Sequence, residues 1–249
     1  AVSVRIVSVD AIERAGAAAW PALETTMLGA WTLSAGEGFS RRRNSAIPAG
    51  PAPADLDGRL RDVAAWYRQR DLPVLYRITP SCDPVVDVAL ADRAFSFEAP
   101  TLVMSRPIEP AERVDAVVDS EVVSKEWIAA ELEALGIQES MVGPWLTTIR
   151  SVPSPAAFVS PIDGDRRVGA GLGVVVGGIL GVFEVVVHPA ERSRGHATRM
   201  MAALHQFGAH EGARLAFLQV LDGDDRALAL YRSLGYSVSH RYWYRRAEA

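Results

Sequence analysis

One stretch limits this chain's fold more than any other: Val185-Val186-Val187-His188-Pro189-Ala190-Glu191-Arg192-Ser193-Arg194-Gly195-His196-Ala197-Thr198. A β-branched apolar run enters a short loop, a cluster of Arg, Gly and small residues follows, and an amphipathic helix begins. The first N–H groups of a helix have no intrahelical partner, and its dipole places partial positive charge at that end. Gly195 and Ala197 let an anionic ligand approach the main chain, and Arg192 and Arg194 add charge. Ser193, His196 and Thr198 complete a stretch that suits a pyrophosphate. Taken singly, the strand reads equally as buried sheet and the arginines as a solvated helix start.

The flanking sequence sets the architecture. Val168 to Val176 and Ile179 to Val187 are two β-rich runs joined by Gly177-Gly178, a composition suited to a two-residue hairpin turn. In the second run, regular alternation puts Val182, Glu184, Val186 and His188 on one face and Phe183, Val185 and Val187 on the other. A helix is predicted from Gly195 to Glu211, with Ala197, Met200, Met201, Leu204, Phe207 and Gly208 as its apolar stripe and Gly212 as terminator. Leu215 to Leu221 reads as a strand, Asp225 to Leu234 as a helix, and Tyr236 to Tyr244 as a final strand. The order β-β-α-β-α-β is a mixed α/β layer architecture.

The N-terminal part is less regular. Ile12 to Leu28 reads as helical apart from Pro21, Trp31 to Ile47 as extended, and Leu56 to Arg70 as an amphipathic helix. Val74 to Thr79 is strand-like, Val85 to Ala94 helix-like, and Thr101 to Ser105 strand-like. Pro107-Ile108-Glu109-Pro110 marks a boundary; beyond it Val118 to Leu135 reads as helix and Pro144 to Pro161 as loop.

Composition excludes several classes. Of 249 residues, 49% are hydrophobic and 22% charged, which is enough to bury a core. The net charge of −4 argues against a general nucleic-acid binder. No apolar run reaches the roughly 18 residues of a membrane span, and no secretory signal is visible, so a cytoplasmic protein is expected. The single Cys82 leaves no intrachain disulfide and no Cys-rich zinc site, and the five histidines are scattered, so no metal is expected. Gly169-Ala170-Gly171-Leu172-Gly173 does not continue into a dinucleotide loop, because Val174 and more strand follow.

Arg192-x-x-Gly195-x-Ala197 after a strand ending Val187-x-Pro189 resembles the acetyl-CoA loop of the GCN5-related N-acetyltransferases (GNATs). Gln219 to Tyr236 is similar to the same family's strand, turn, and Ala-x-x-Leu-Tyr helix. The resemblance implies a GNAT fold, with a catalytic domain over 111–249 and a degenerate GNAT-like domain over 1–106. It implies that acetyl-CoA is held by Val185, Val186 and Val187 along its pantetheine arm, and by Arg192 to Thr198 at the pyrophosphate. An Asn in the family's turn is replaced here by Asp224, or by Asp225 if the turn is shifted. An ionised Asp can only accept hydrogen bonds.

Transfer from a thioester to an amine needs a base for the ammonium and an acid for the departing thiolate. Glu184, a carboxylate within an apolar strand, is the candidate base; the alternative is a structural carboxylate paired with an arginine. Tyr231 matches the family's general acid, with a packed core aromatic as the alternative. His240 could share the base's work or be a satisfied structural histidine. The expected function is an N-acetyltransferase acting on a primary amine of a small molecule or peptide, as monomer or homodimer, without nucleic acid or membrane. The competing class is a CoA-binding sensor that does no chemistry. Family members usually end in two strands, and here only Tyr236 to Tyr244 follows the Tyr helix. Thr101 to Ser105 is therefore expected to cover that strand's edge and help wall the acceptor pocket.

Overall fold

A computed structural model describes residues 7–109, 118–120 and 123–247. Helix α1 (Val9–Ala19) begins at Ser8, whose hydroxyl accepts from the Ala11 N–H. Strands β1 (Glu24–Leu28) and β2 (Trp31–Ala35) form a hairpin, so the helix expected to Leu28 stops before Pro21, and 24–28 pair as strand instead. A 3₁₀ turn at Arg41–Arg43 precedes β3 (Ala46–Ile47); α2 (Leu56–Arg68), β4 (Leu75–Ile78), α3 (Pro84–Asp92) and β5 (Ser96–Pro107) follow. Pro110 of the expected boundary lies outside the described residues.

β6 (Val118–Ser120) pairs with a later strand, so the expected helix from Val118 is shorter. α4 (Lys125–Leu135) starts where the Ser124 hydroxyl accepts from the Trp127 N–H at 3.0 Å. α5 (Glu139–Arg150) and β7 (Ala156–Val159) occupy most of the segment expected to be loop. Pro144 is carried inside α5, where it removes a single helix donor. The short pair β8 (Ile162–Asp163) and β9 (Arg166–Arg167) leads into β10 (Gly169–Val176) and β11 (Ile179–Val187). Then come α6 (His196–His210), β12 (Leu215–Leu221), α7 (Asp225–Ser233) and β13 (Ser237–Arg246), the predicted order. Gly177 and Gly178, both at positive φ, close the β10–β11 hairpin as expected.

The chain forms two compact units that are not contiguous in sequence. One takes residues 7–20, the described part of 104–219, and 225–238; the other takes 21–103, 220–224 and 239–247. This partition differs from a division at 106/111, because α1 clusters with the C-terminal elements and most of β13 with the N-terminal ones.

In the second unit the strands run β1-β2-β3-β4-β13-β5. Trp31, Leu33, Tyr67, Tyr76, Val86 and Leu90 fill its core. The C-terminal strand is no edge: Trp243 to Arg246 pair antiparallel with Ile78 to Leu75, and β5 lies on its other side. Cys82 is buried there, and burial pushes its thiol up to about 12, with Asp87 and Asp83 adding to the effect.

In the first unit the order from β12 outward is β12-β11-β10-β7-β6. The β10 glycines have a packing role. A Cβ on Gly171 or Gly173 would meet Leu204 at 3.5 Å or 3.0 Å, so their absence of side chain lets α6 lie close to the sheet. At Gly169 a Cβ would fall 2.4 Å from the Val186 carbonyl oxygen. Backbone cannot move aside as a side-chain tip can, so Gly169→Ala is expected to cost about 1–3 kcal/mol. Thermal unfolding of the variant checks this, at roughly 2–4 °C per kcal/mol for a chain of this size.

Candidate active site

The site is built by an interruption in β11. Val182 pairs with Gly173 and Phe183 with Leu172, but the next pair is Val186 with Ala170. Glu184 and Val185 therefore stand opposite Gly171 alone, which is a β-bulge. Glu184 takes φ +50, a left-handed conformation rare outside glycine. The bulge corrects the alternation read from the sequence. Val185 now lies against the position a Gly171 side chain would take, beside Leu204 and Met200 of α6. Glu184 is delivered instead to α4, where it bears on Glu131.

A second interruption lies at the same point. β11 pairs in parallel with β12 from Ile179↔Leu215 to Val182↔Leu218, although β11 continues to Val187 and β12 to Leu221. From Phe183 onward β11 has no ladder pair with β12. Residues 184–187 are half-buried, after five fully buried positions. An extended ligand chain could add to this backbone edge as another strand would.

The strand then delivers the loop. Ser193 and Gly195 have φ of +65 and +80, which turn the chain tightly into α6. α6 starts with no side-chain cap and no acidic residue in its first turn, so its leading N–H groups remain available to an anion. The Arg192 Nε donates to the Val187 carbonyl at 3.1 Å. Arg194 pairs with Glu191 at 2.7 Å and Asp163 at 3.3 Å. His196 is buried, unlike the exposed Arg192 to Gly195, and its Nδ1 lies 2.7 Å from Arg199. Burial holds its imidazole below the usual value, with Arg199 acting the same way and Asp163 and Glu191 opposing. Ala197 is half-buried and Thr198 exposed on the helix's first turn.

Asp163, Glu191 and His196 place ligand atoms within 4.8 Å of one another, a spacing compatible with a cation. The Arg194 guanidinium already bridges both carboxylates, so the charge that would draw a cation is neutralised.

Tyr231 is half-buried on α7, with its ring 6.0 Å from that of Tyr236. α7 is tied to the loop by Arg226, which donates to the Ser193 hydroxyl at 3.2 Å. The Tyr236 hydroxyl meets the His205 Nε2 at 2.7 Å, and burial pulls His205 down to about 4. Asp224 is exposed in the turn before α7, its N–H donating to Leu221 at 3.1 Å, and it is grouped with the other unit. His240 is buried, with Nδ1 3.1 Å from the Ser239 hydroxyl, also in that unit.

Sequence reasoning missed Glu131. Its signal was an acidic residue at a core position of α4, on the stripe with Trp127 and Ala130, all three buried.

A family model described as "Probable histone acetyltransferase Rv0428c C-terminal" matches residues 7–245. The chain belongs to this GNAT family. It is 27% identical over 242 residues to the "Uncharacterized N-acetyltransferase YobR" of Bacillus subtilis (strain 168), covering 94% of this chain and 96% of that protein. A GCN5-related N-acetyltransferase from Kribbella flavida superimposes at a TM-score of 0.69, with 17% identity, over 92% of this chain and 90% of that one. A tandem GNAT protein from the clavulanic acid biosynthesis pathway gives 0.62, with 13% identity, over 94% and 86%. These structures establish the mixed α/β GNAT fold. Among the described residues no helix is long and apolar enough to cross a membrane.

Proposed function

We propose that this GNAT transfers the acetyl group of acetyl-CoA to a primary amine of a small molecule or peptide. The observation that carries the reading is the coincidence of three features on one strand. β11 parts from β12 after Val182, bulges at Glu184, and leads through the 188–195 loop into the uncapped N-terminus of α6. The residues fit the cosubstrate: Val185 to Val187 offer backbone to the pantetheine arm, and Arg192 to Thr198 surround the pyrophosphate. A Cβ on Gly195 would meet nothing nearer than Arg199 at 3.8 Å, which leaves the backbone open to phosphate oxygens. Asp224 is assigned to the turn facing the cosubstrate on family likeness alone.

In this reading Glu184 takes a proton from the acceptor ammonium, and the freed amine attacks the thioester carbonyl. The C–S bond breaks, the thiolate takes a proton from the Tyr231 hydroxyl, and the excess proton on the newly acylated nitrogen passes to the Tyr231 phenolate. Catalysis belongs to the unit holding β10, β11, α6 and α7, the core of the expected 111–249 domain. The other unit corresponds to the degenerate copy expected over 1–106.

Calorimetry with acetyl-CoA tests the reading; a folded sample that takes up none at millimolar ligand ends it. Gly195→Val, forced into a left-handed conformation that β-branched residues avoid, is expected to weaken uptake about 10-fold or more. Uptake without thiol release to any amine in a broad panel would assign the chain to the sensor class.

A further inference from the structure

Two residues one turn apart on α4 address the bulge. The Trp127 indole N–H donates to the Gly171 carbonyl at 3.3 Å, the residue opposite the bulge, and to Val159 at 3.2 Å. Trp127 is itself held by Trp145, stacked at 6.3 Å, and by Phe158, edge-on at 5.1 Å. Four residues on, and so on the same helix face, Glu131 reaches the other side of the bulge and meets the Glu184 carboxyl. Glu131 has no exposed surface, and neither of its carboxyl oxygens receives a hydrogen bond from an N–H or O–H group of the described residues. An ionised carboxylate buried without donors is prohibitively unfavourable. Two carboxylates in contact cannot both ionise cheaply.

We propose that Glu131 and Glu184 share one proton across the bulge, and that Glu131 is the positioning residue that holds Glu184 where it can receive a proton. This rests on Glu184 being the base. Glu131, the deeper of the two, keeps the proton, and its O–H donates to the Glu184 carboxylate, restraining it in its left-handed conformation. The pair then carries a single negative charge at neutral pH. A proton from the acceptor ammonium goes to Glu184 and leaves the pair neutral, so the site never holds two buried charges.

The electrostatics agree. Burial raises the Glu131 carboxyl well above its ordinary value, and the Glu184 charge pushes it further. No other charged group of the described residues contributes to that shift. Glu133, on the same helix, is turned to Arg166 and lies 3.7 Å from His188. Around the bulge β10 carries Ala170, Gly171 and Leu172, none of them ionisable.

Infrared difference spectroscopy on the full chain reads the proton directly. Wild type minus Glu131→Gln at pH 7 should show one protonated-carboxyl C=O band, still present at pH 8. A spectrum without that band overturns the proposal. Stability gives a second reading, with its sign set by linkage. The native-state pKa lies above the unfolded one, so the native chain binds more protons. Wild-type stability from this group is full below the ordinary carboxylate range and is lost as pH rises. Glu131→Gln lacks that loss, so its melting temperature relative to wild type should climb steadily from pH 5 to pH 8. A flat difference overturns the proposal.

In thiol release with an amine panel, Glu131→Gln keeps an N–H donor and should stay within about 3-fold of wild type. Glu131→Leu keeps none and should fall at least 10-fold in kcat, with KM for acetyl-CoA unchanged. Equal activities of the two variants would overturn the positioning role. Should Glu184→Gln remain fully active, the base assignment fails, and the infrared band still decides whether the pair exists.

Discussion

Glu184→Gln is expected to lower acceptor-dependent thiol release by about 10²–10⁴-fold, the usual contribution of a positioned general base. Acetyl-CoA affinity should stay within a factor of about two, because the proposed contacts of the cosubstrate are to backbone and to the α6 N-terminus. The separation of the two effects is the diagnostic part. A Gln retains the size and hydrogen-bonding reach of Glu but cannot take a proton at neutral pH. Tyr231→Phe should behave in parallel, since the ring that packs on Tyr236 is kept and only the hydroxyl is lost. Stopped-flow or steady-state thiol detection with a panel of amines, beside calorimetry with acetyl-CoA, measures both quantities. If Glu184→Gln turns over like wild type, the carboxylate is structural and the base lies elsewhere. If both activity and acetyl-CoA uptake vanish, the substitution has damaged the bulge itself.

The elements after Gly169 were legible because each carries its own local signal. Gly177-Gly178 writes the hairpin, Gly212 stops α6, and the apolar stripe of α6 follows helical spacing, so strand and helix limits fall within a residue or two of the reading. The same local rules could not show the bulge. A left-handed position of this kind is usually filled by glycine, and here it is filled by Glu184, whose conformation is held by the surrounding structure. Alternation alone then sends Glu184 to the α6 face, one residue out of phase. Glu131 was hidden for a related reason. A single Glu within a helix reads as a solvated position until the helix's buried face is known. In the N-terminal part the errors arise where tertiary pairing overrides local preference. Glu24 to Leu28 lies just beyond a helix, yet pairs with β2, where Trp31 and Leu33 are buried. Pro144, a helix breaker by local rules, is tolerated in α5 because the packing of Trp145 and Ile149 holds the helix around it.

Removing the Trp20 side chain is expected to cost about 3–5 kcal/mol, a large part of the 5–15 kcal/mol that stabilises an ordinary protein. Trp20 follows directly on α1 and is buried, and it stacks on Phe183 at a ring distance of 5.2 Å and an angle of 22°. Phe183 in turn meets Phe217 edge-on at 6.0 Å, and Gly16 of α1 sits over the same Phe217, where a Cβ would be 3.4 Å from its ring. Residues far apart in the chain thus form one aromatic layer beneath β11, immediately before the bulge. The cost of Trp20→Ala therefore has two readouts. The melting temperature should fall by roughly 2–4 °C for each kcal/mol lost. Acyl transfer at a temperature where the variant is still folded should also drop, because Phe183 directly precedes Glu184 and loses the surface that holds it. A chain lacking residues 1–20 loses both Trp20 and the α1 residue Gly16 from this layer and should be poorly soluble, since Phe183 and Phe217 would then face water. The same reasoning predicts failure of any fragment cut at residue 111, because α1 is part of the unit proposed to be catalytic and would be left behind. If Trp20→Ala melts like the parent chain and the truncated chain remains soluble and active, α1 is an accessory to this unit and the layer does not support the bulge.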